Sequence, residues 1–503
     1  MNDLTAVREV WASRATARSR TDLLYLVYLV AMSVLVLGIP GLNSAGHFLA
    51  RPDVLPALSS AHAPQNVAAA SLVAAAIALQ VGAVRGPALM APFFIDTLAS
   101  SSLHRRHVLR RPFARALLVP VTALAVLAAL VGTTLMAAGL AEVSEVALFV
   151  LAAAGTGLLL AAAWLTGELL HRMSARLLVS ALLLGAAVLA AIAPVGLGLG
   201  AVHPAAPRSP VPWALGLMVV GLLAMAACIR LLDRLRGAVL REQAARWESA
   251  GTLATTGDLA GASGRFRPPP SAGRRLPVIG PRPLLLLYIR RDAVAWLRSP
   301  ERFAAGALAG AAGAALLSVA TLLTGPPAWS AVLLGSTVLW GASSAGVDGI
   351  RHGVHTLGAP MLLGQTAAMQ VLLHVPAPTV LLGSIAALGG GAGLLLAGGS
   401  LEPSAVALPV LLAVVLVAAR AWDAAKGPMP LSLMTPIPTP QGDLSVLSVL
   451  VWQADSLLLA VLAGALLAGL LMGLGPVAML LGAGTLLSTM TLMTRARLRA
   501  LRG

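Results

Sequence analysis

Two histidine pairs have the spacing that metal chemistry uses. His104 with His107, and His352 with His355, each lie three residues apart, so on a helix both imidazoles of a pair share one face and could reach one ion. A catalytic zinc normally takes three protein ligands, and no Cys or suitably spaced Glu follows either pair, so both read as solvated or interfacial histidines and no metal site is expected. Phosphate chemistry fails earlier. A Walker A loop needs Gly-Lys followed by Ser or Thr, whereas the only Lys, Lys426, lies between Ala425 and Gly427. No P-loop hydrolysis and no catalytic residue are therefore expected in this chain. Asp455, near Gln453 in a long apolar stretch, is the remaining candidate polar site, because an ionisable group inside a membrane is expensive unless paired or wet. With a span starting near Asp443 it would lie well inside and face a cavity; aligned on Arg176 it would lie at the interface. Glu168 and Asp348 fall at ends of apolar runs and read as helix-end groups, and Gly306 with Gly310 as a close-packing pair.

The elements that must carry these groups are membrane helices. Apolar runs near the length a bilayer demands cover residues 23–39, 66–84, 116–140, 146–167, 177–199 and 213–230, then 303–324, 329–347, 371–397, 404–419, 445–470 and 476–494. A chain 58% hydrophobic and 11% charged is no ordinary soluble globule, and the net charge of +16 is confined to loops and tails. Threading the twelve runs places 33 of the 35 Lys and Arg residues on one side, leaving only Arg51 and Arg208 opposite. By the positive-inside rule that side is cytoplasmic, which puts both termini inside a multi-pass plasma-membrane protein. The basic segments could attract anionic headgroups, but no aromatics interleave with them as on a nucleic-acid surface, so none is expected as partner. Cys228 is alone, which excludes an intrachain disulfide, and no cleavable signal peptide is evident before the first run.

The fold expected is all-α, two six-helix halves at residues 1–230 and 285–503, with residues 231–284 between them as a helix extension and a Pro/Gly/Arg-rich linker. Each half opens alike. Leu4, Val7, Val10 and Trp11 share one helical face beside Arg8, Arg14 and Arg18; Leu286, Ile289, Ala293 and Trp296 repeat it beside Arg291 and Arg298. A basic amphipathic helix bearing Trp belongs in the interface plane, as an elbow before the first span. Each half also has a cytoplasmic excursion after its second span. One carries Pro92, Asp96, His104, Arg105, Arg106, His107, Arg110 and Arg111; the other Asp348, Arg351, His352, His355 and Pro360. We read a tandem duplication with parallel topology.

With its elbows around residues 7–20 and 286–302, the Leu-His-Arg-Arg-His-Val-Leu-Arg-Arg-Pro run after Pro92, and Thr439-Pro440-Gln441-Gly442-Asp443 ahead of a span, the chain resembles the permease of a type-2 ABC exporter, in an actinobacterial form with two fused six-span units. The resemblance covers nearly the whole chain by layout and rests on degenerate motifs. It implies that the loop between second and third spans docks on a separate ATPase, which would supply ATP and magnesium. Carried over, the docking residues are Asp96, His104, Arg105, Arg106, His107, Arg110 and Arg111, and Asp348, Arg351, His352 and His355, the second loop being poorer in Arg. An accessory membrane subunit or a second permease copy is compatible with this layout, and membrane lipids are partners by necessity.

Two other classes stay open. Proton-coupled secondary transporters also use twelve spans in two parallel halves, but Arg85-Gly86-Pro87-Ala88-Leu89 lacks the Gly-x-x-x-Asp-Arg run of that fold, and only Asp455 offers a buried acid. A membrane-embedded transferase would need acids in large external loops, where Asp53 stands almost alone. Spans nearly devoid of charge suit an apolar or amphipathic cargo better than a small ion, whose site needs convergent polar groups.

Overall fold

The computed structural model describes residues 20–99, 103–206, 209–255, 259–267, 272–273, 275–277, 280, 283–355, 365–427, 429–435, 438–439, 442–443 and 445–500. Eleven described helices are long and apolar enough to cross a bilayer, and a bent pair of helices brings the number to twelve if it crosses as one broken span. The protein is therefore an all-α polytopic membrane protein. The only described strand pairing is a two-residue antiparallel contact, Pro438 opposite Asp443 and Thr439 opposite Gly442.

The chain divides into two compact units after Leu240. The first holds α1 (Val27–Leu49), α2 (Ala63–Val84), α3 (Arg105–Ala137), α4 (Val143–Leu169), α5 (Met173–Ile192) and α6 (Val211–Leu231). The second holds an amphipathic helix α7 (Leu284–Arg298), then α8 (Pro300–Ala320), α9 (Gly325–Ser343), the short α10 (Asp348–His355), α11 (Ala368–Leu396), α12 (Pro403–Ala424), α13 (Ser445–Leu474) and α14 (Pro476–Ala500). Helix α1 runs past the expected boundary near residue 39 because Pro40, lacking an amide hydrogen, is absorbed by a wider π-type turn at Val34–Gly38 that keeps the ladder going. Helix α3 begins at Arg105 rather than near residue 116, since Arg and Ala are strong helix formers and extend it beyond its apolar stretch.

Within each unit the same five helix pairs meet: first with third, second with fourth, second with fifth, third with fourth, and fourth with sixth. The units differ in their first and second spans, which pack closely in the second unit and not in the first. The fourth span is the hub of each unit. The most apolar stretch of α4 is 56% buried and that of α12 is 61%, against a third or less for the other nine single-helix spans. The remaining helices turn Leu, Val and Ile outward, including Leu118, Val119, Leu223, Leu388 and Leu462, as hydrocarbon rather than water requires.

Backbones touch where α2 crosses α4. A Cβ built on Gly167 would collide with the Leu79 carbonyl oxygen, and one on Gly82 with the Trp164 carbonyl oxygen, so each helix seats in a notch of the other. We expect Gly167→Ala to lower the thermal stability of the purified protein by about 1–3 kcal/mol, the usual cost of overpacking. Tight turns join several spans. The linkage from α13 to α14 is the single residue Gly475, held at φ 88°, a conformation a side chain would strain.

One buried histidine sits in the loop between α5 and α6. His203 follows the short helical turn Gly198–Val202, meets the Phe149 ring edge-on at 5.4 Å, and accepts the Ala205 amide at its Nδ1, 3.2 Å away. Burial pushes its pKa down to about 4 from 6.5. A histidine depressed in the fold stabilises fully above its ordinary pKa and loses that contribution as pH falls toward 4. Between pH 7 and pH 4 the wild type should lose on the order of 3 kcal/mol that a His203→Gln variant does not lose, as thermal unfolding across a pH series will report.

Candidate functional site

The densest polar construction in the second unit gathers where α9, α12 and α14 end and α11 begins. Helix α10 lies at its centre. It turns 63° away from α9, and its apolar residues Ile350 and Val354, with Val347 just before it, enter the hydrophobic core that α12 organises. Its other face carries Asp348, Arg351 and the exposed His352; the side chain of His355 lies outside the described residues. Alternating apolar and polar positions at helical spacing thus seat α10 on the unit and leave one face outward.

Three attachments hold it. First, Arg302 at the start of α8 forks onto the Asp348 carboxylate, with Nη2 3.2 Å from Oδ1, and also donates to the Ser344 carbonyl. Arg267, from the segment before α7, reaches the same carboxylate at 3.2 Å; burial draws its guanidinium below the usual range and Asp348 opposes the shift. Second, Trp296 donates its indole N–H to the Gly346 carbonyl at 3.1 Å, and its ring stacks on Phe303. Third, Gly349 rests directly on a buried pair: the Asp292 carboxylate on α7 lies 2.8 and 2.9 Å from Nδ1 of His374 at the start of α11. Tyr288 closes this joint, its ring edge-on to His374 at 4.7 Å and its hydroxyl donating to Gln365 at 2.7 Å. Helix α10 is thus tied to α7, α8 and α11 and packed on α12.

A second layer ties the neighbouring helix ends. Arg420, buried at the end of α12, donates from Nε to the Ser343 hydroxyl at 2.9 Å and lies 4.0 Å over the Trp340 ring. Lys426 packs 4.1 Å over Trp452, donates to the Trp452 carbonyl, and pairs with Asp455 at 2.6 Å. Arg497 on α14 reaches Asp455 at 3.6 Å while lying 3.7 Å over Trp422. Cations on indole faces suit this depth, where one side is apolar and the other wet.

Asp455 is thus a bound counter-ion between two cations. It lies about a third of the way along α13, with an apolar-rich stretch after it up to Leu474. Gln453 lies half-buried on the same turn. In the first unit, Arg105 donates to the Leu235 carbonyl, and Arg106 grips Asp233 through its backbone amide at 2.9 Å and its guanidinium at 3.6 Å. These two Arg residues bind the turn after α6. Asp96 is exposed on the turn Ile95–Ala99. His104, His107, Arg110 and Arg111 are exposed around the start of α3, with the two imidazoles 6.0 Å apart edge to face. No group of three or more His, Cys, Asp or Glu residues suited to a metal occurs among the described residues.

Of the two elbows, Trp11, Arg14 and Arg18 lie outside the described residues. The second elbow is α7, but its faces differ from the sequence reading: Leu284, Leu285, Leu286 and Leu297 face outward, while Tyr288 and Asp292 are buried and Trp296 turns inward. Arg298 donates to the Leu276 carbonyl at 3.3 Å. Sequence reasoning missed Asp292 and His374. Their signal was a lone acid beside Arg291 and a His two residues before Pro376, but their meeting depends on packing across 82 positions. Glu168 does stand at a helix end, one residue before the last of α4, but it is buried, its carboxyl oxygens lacking a hydrogen-bond partner and lying against Gly86.

No protein-family model, curated protein or solved structure matches the chain.

Proposed function

We propose that this protein is the permease subunit of an ABC transporter, an exporter of an apolar or amphipathic substrate driven by a separate ATPase. It would be a multi-pass plasma-membrane protein with both termini in the cytoplasm. One observation carries the reading: α10, a short amphipathic helix turned 63° from its span and locked to three other helices. A handle of this kind transmits a partner's push to α8, α9 and α11 together, because packed helices shift as rigid bodies. In the first unit the turn at residues 92–99, with Phe93 and Asp96 exposed, likewise follows the second span. Export follows from the family resemblance, and the cargo class from spans that offer few convergent polar groups.

The test uses the full chain with Cys228→Ser and His352→Cys, purified in mild detergent from its own host after cross-linking. A P-loop ATPase recovered in stoichiometric amount and cross-linked at position 352 is the expected result. Recovery of no ATPase, with flux driven by a proton gradient alone, overturns it. That second reading has one observation in its favour, the unpartnered buried carboxyl of Glu168.

A further inference from the structure

The arginines at the start of α3 do not all share one task. Arg105 and Arg106 are engaged by the turn after α6. Arg110, Arg111 and Arg115 are exposed, and no carboxylate among the described residues pairs with them; the nearby Asp233 is taken by Arg106. The first turn of α3 holds no acid either, so the helix dipole and the guanidinium groups sum to one positive field.

Where that field points is fixed by the helix itself. Arg111, Arg115, Leu118, Thr122 and Val126 follow one another at spacings of three or four, all exposed, and so form one continuous stripe. Leu118 is 55% and Val126 45% exposed, which only hydrocarbon tolerates along a span. Counting back from Ala137, a crossing of roughly 30 Å is used up near Leu118. Arg115 then stands about one turn above the hydrocarbon edge and Arg111 about two, the depth of phospholipid phosphates. The basic stripe is the lipid-facing stripe continued into the headgroup layer.

We propose that Arg110, Arg111 and Arg115 form a binding site for the phosphate of an anionic phospholipid whose acyl chains lie along Leu118, Thr122 and Val126. Guanidinium forks match a phosphate diester in two-pronged fashion, and apolar positions directly below receive the chains. The site needs no ATPase, and its failure would leave the transporter reading intact. It removes Arg110 and Arg111 from the docking surface that the family resemblance assigned to them.

The experiment titrates phosphatidylglycerol, and phosphatidylcholine in parallel, into the delipidated full-length protein in neutral detergent and counts bound lipid by native mass spectrometry. Wild type should retain phosphatidylglycerol in preference to phosphatidylcholine, and R110Q/R111Q/R115Q should weaken that retention at least about tenfold. R172Q/R495Q/R499Q removes the same charge elsewhere and should change retention little. The triple Lys variant at 110, 111 and 115 preserves every charge needed for insertion and loses the fork; it should fall between wild type and the Gln triple, and it decides the matter if the Gln triple fails to fold. Equal retention by the Gln or Lys triple and the wild type overturns the proposal. So does equal loss in the control triple, or displacement of the lipid by a soluble acidic polypeptide at matched charge concentration, which would mark the stripe as a protein-docking surface.

Discussion

Replacing Asp292 by Ala should destabilise the second unit by roughly 3–5 kcal/mol, the range seen when one member of a buried pair is removed and the other is left without its partner. His374 is 1% exposed, its Nε2 has no partner among the described residues, and Nδ1 depends on the Asp292 carboxylate. Gly349 lies so close to both side chains that a Cβ there would collide with them. The loss should therefore appear twice: as a lower unfolding temperature, and as faster proteolysis around α10. Asp292→Leu with His374→Phe refills the space without a stranded polar group and should recover most of the stability. A single Asp292→Ala variant that melts with the wild type would show that the pair holds nothing. Retained stability with lost coupling to the ATPase in the double variant would separate positioning of α10 from plain folding.

Breaking the neighbouring cluster should cost nearly as much. Lys426 is the chain's only lysine among 35 basic residues, and its ammonium fits between the Trp452 ring, the Trp452 carbonyl and Asp455 with a side chain only 8% exposed. Lys426→Ala strands Asp455 on the more distant Arg497 and should cost roughly 2–4 kcal/mol. Lys426→Arg should rescue little, since a broad planar fork does not fit a seat shaped for a compact charge. Asp455→Asn should lose stability similarly while sparing flux per folded molecule. If Asp455→Asn instead melts normally and abolishes flux, Asp455 belongs to a transport path and not to this clasp.

These two clusters mark where the sequence was readable and where it was not. The all-α character and the eleven or twelve apolar helices long enough to cross a bilayer follow from apolar length, because each span meets lipid on its own terms. The hinge before α10 was foreshadowed by Asp348 directly after an apolar run. The start of α3 was misplaced because hydropathy ends at the arginines whereas helix propensity does not. For α7, amphipathicity gave a helix at the interface but not its rotation: nothing local says that Asp292 turns inward, since the group that rewards it, His374, arrives 82 residues later. Asp455 looked solitary for the same reason, its cations lying at positions 426 and 497. The stretch before α7 looked too polar to settle, yet Phe266 on Trp247 and Arg267 on Asp348 anchor it with two contacts. Composition reports whether a segment can form a core of its own, not whether it can borrow one.

The turn at Gly475 leaves α13 and α14 joined like a pair of dividers, pivoted at the tips. With no slack residue there, the joint restrains sliding of one helix past the other and leaves opening of the legs as a motion it permits. Along the 30 residues of α13, a swing of about 5° at the pivot opens the far end by about 4 Å, since the leg is roughly 45 Å long at 1.5 Å per residue. The Lys426–Asp455–Arg497 cluster spans the legs well away from that pivot, where leverage is large, so a small rearrangement of three side chains governs how wide the gap can become.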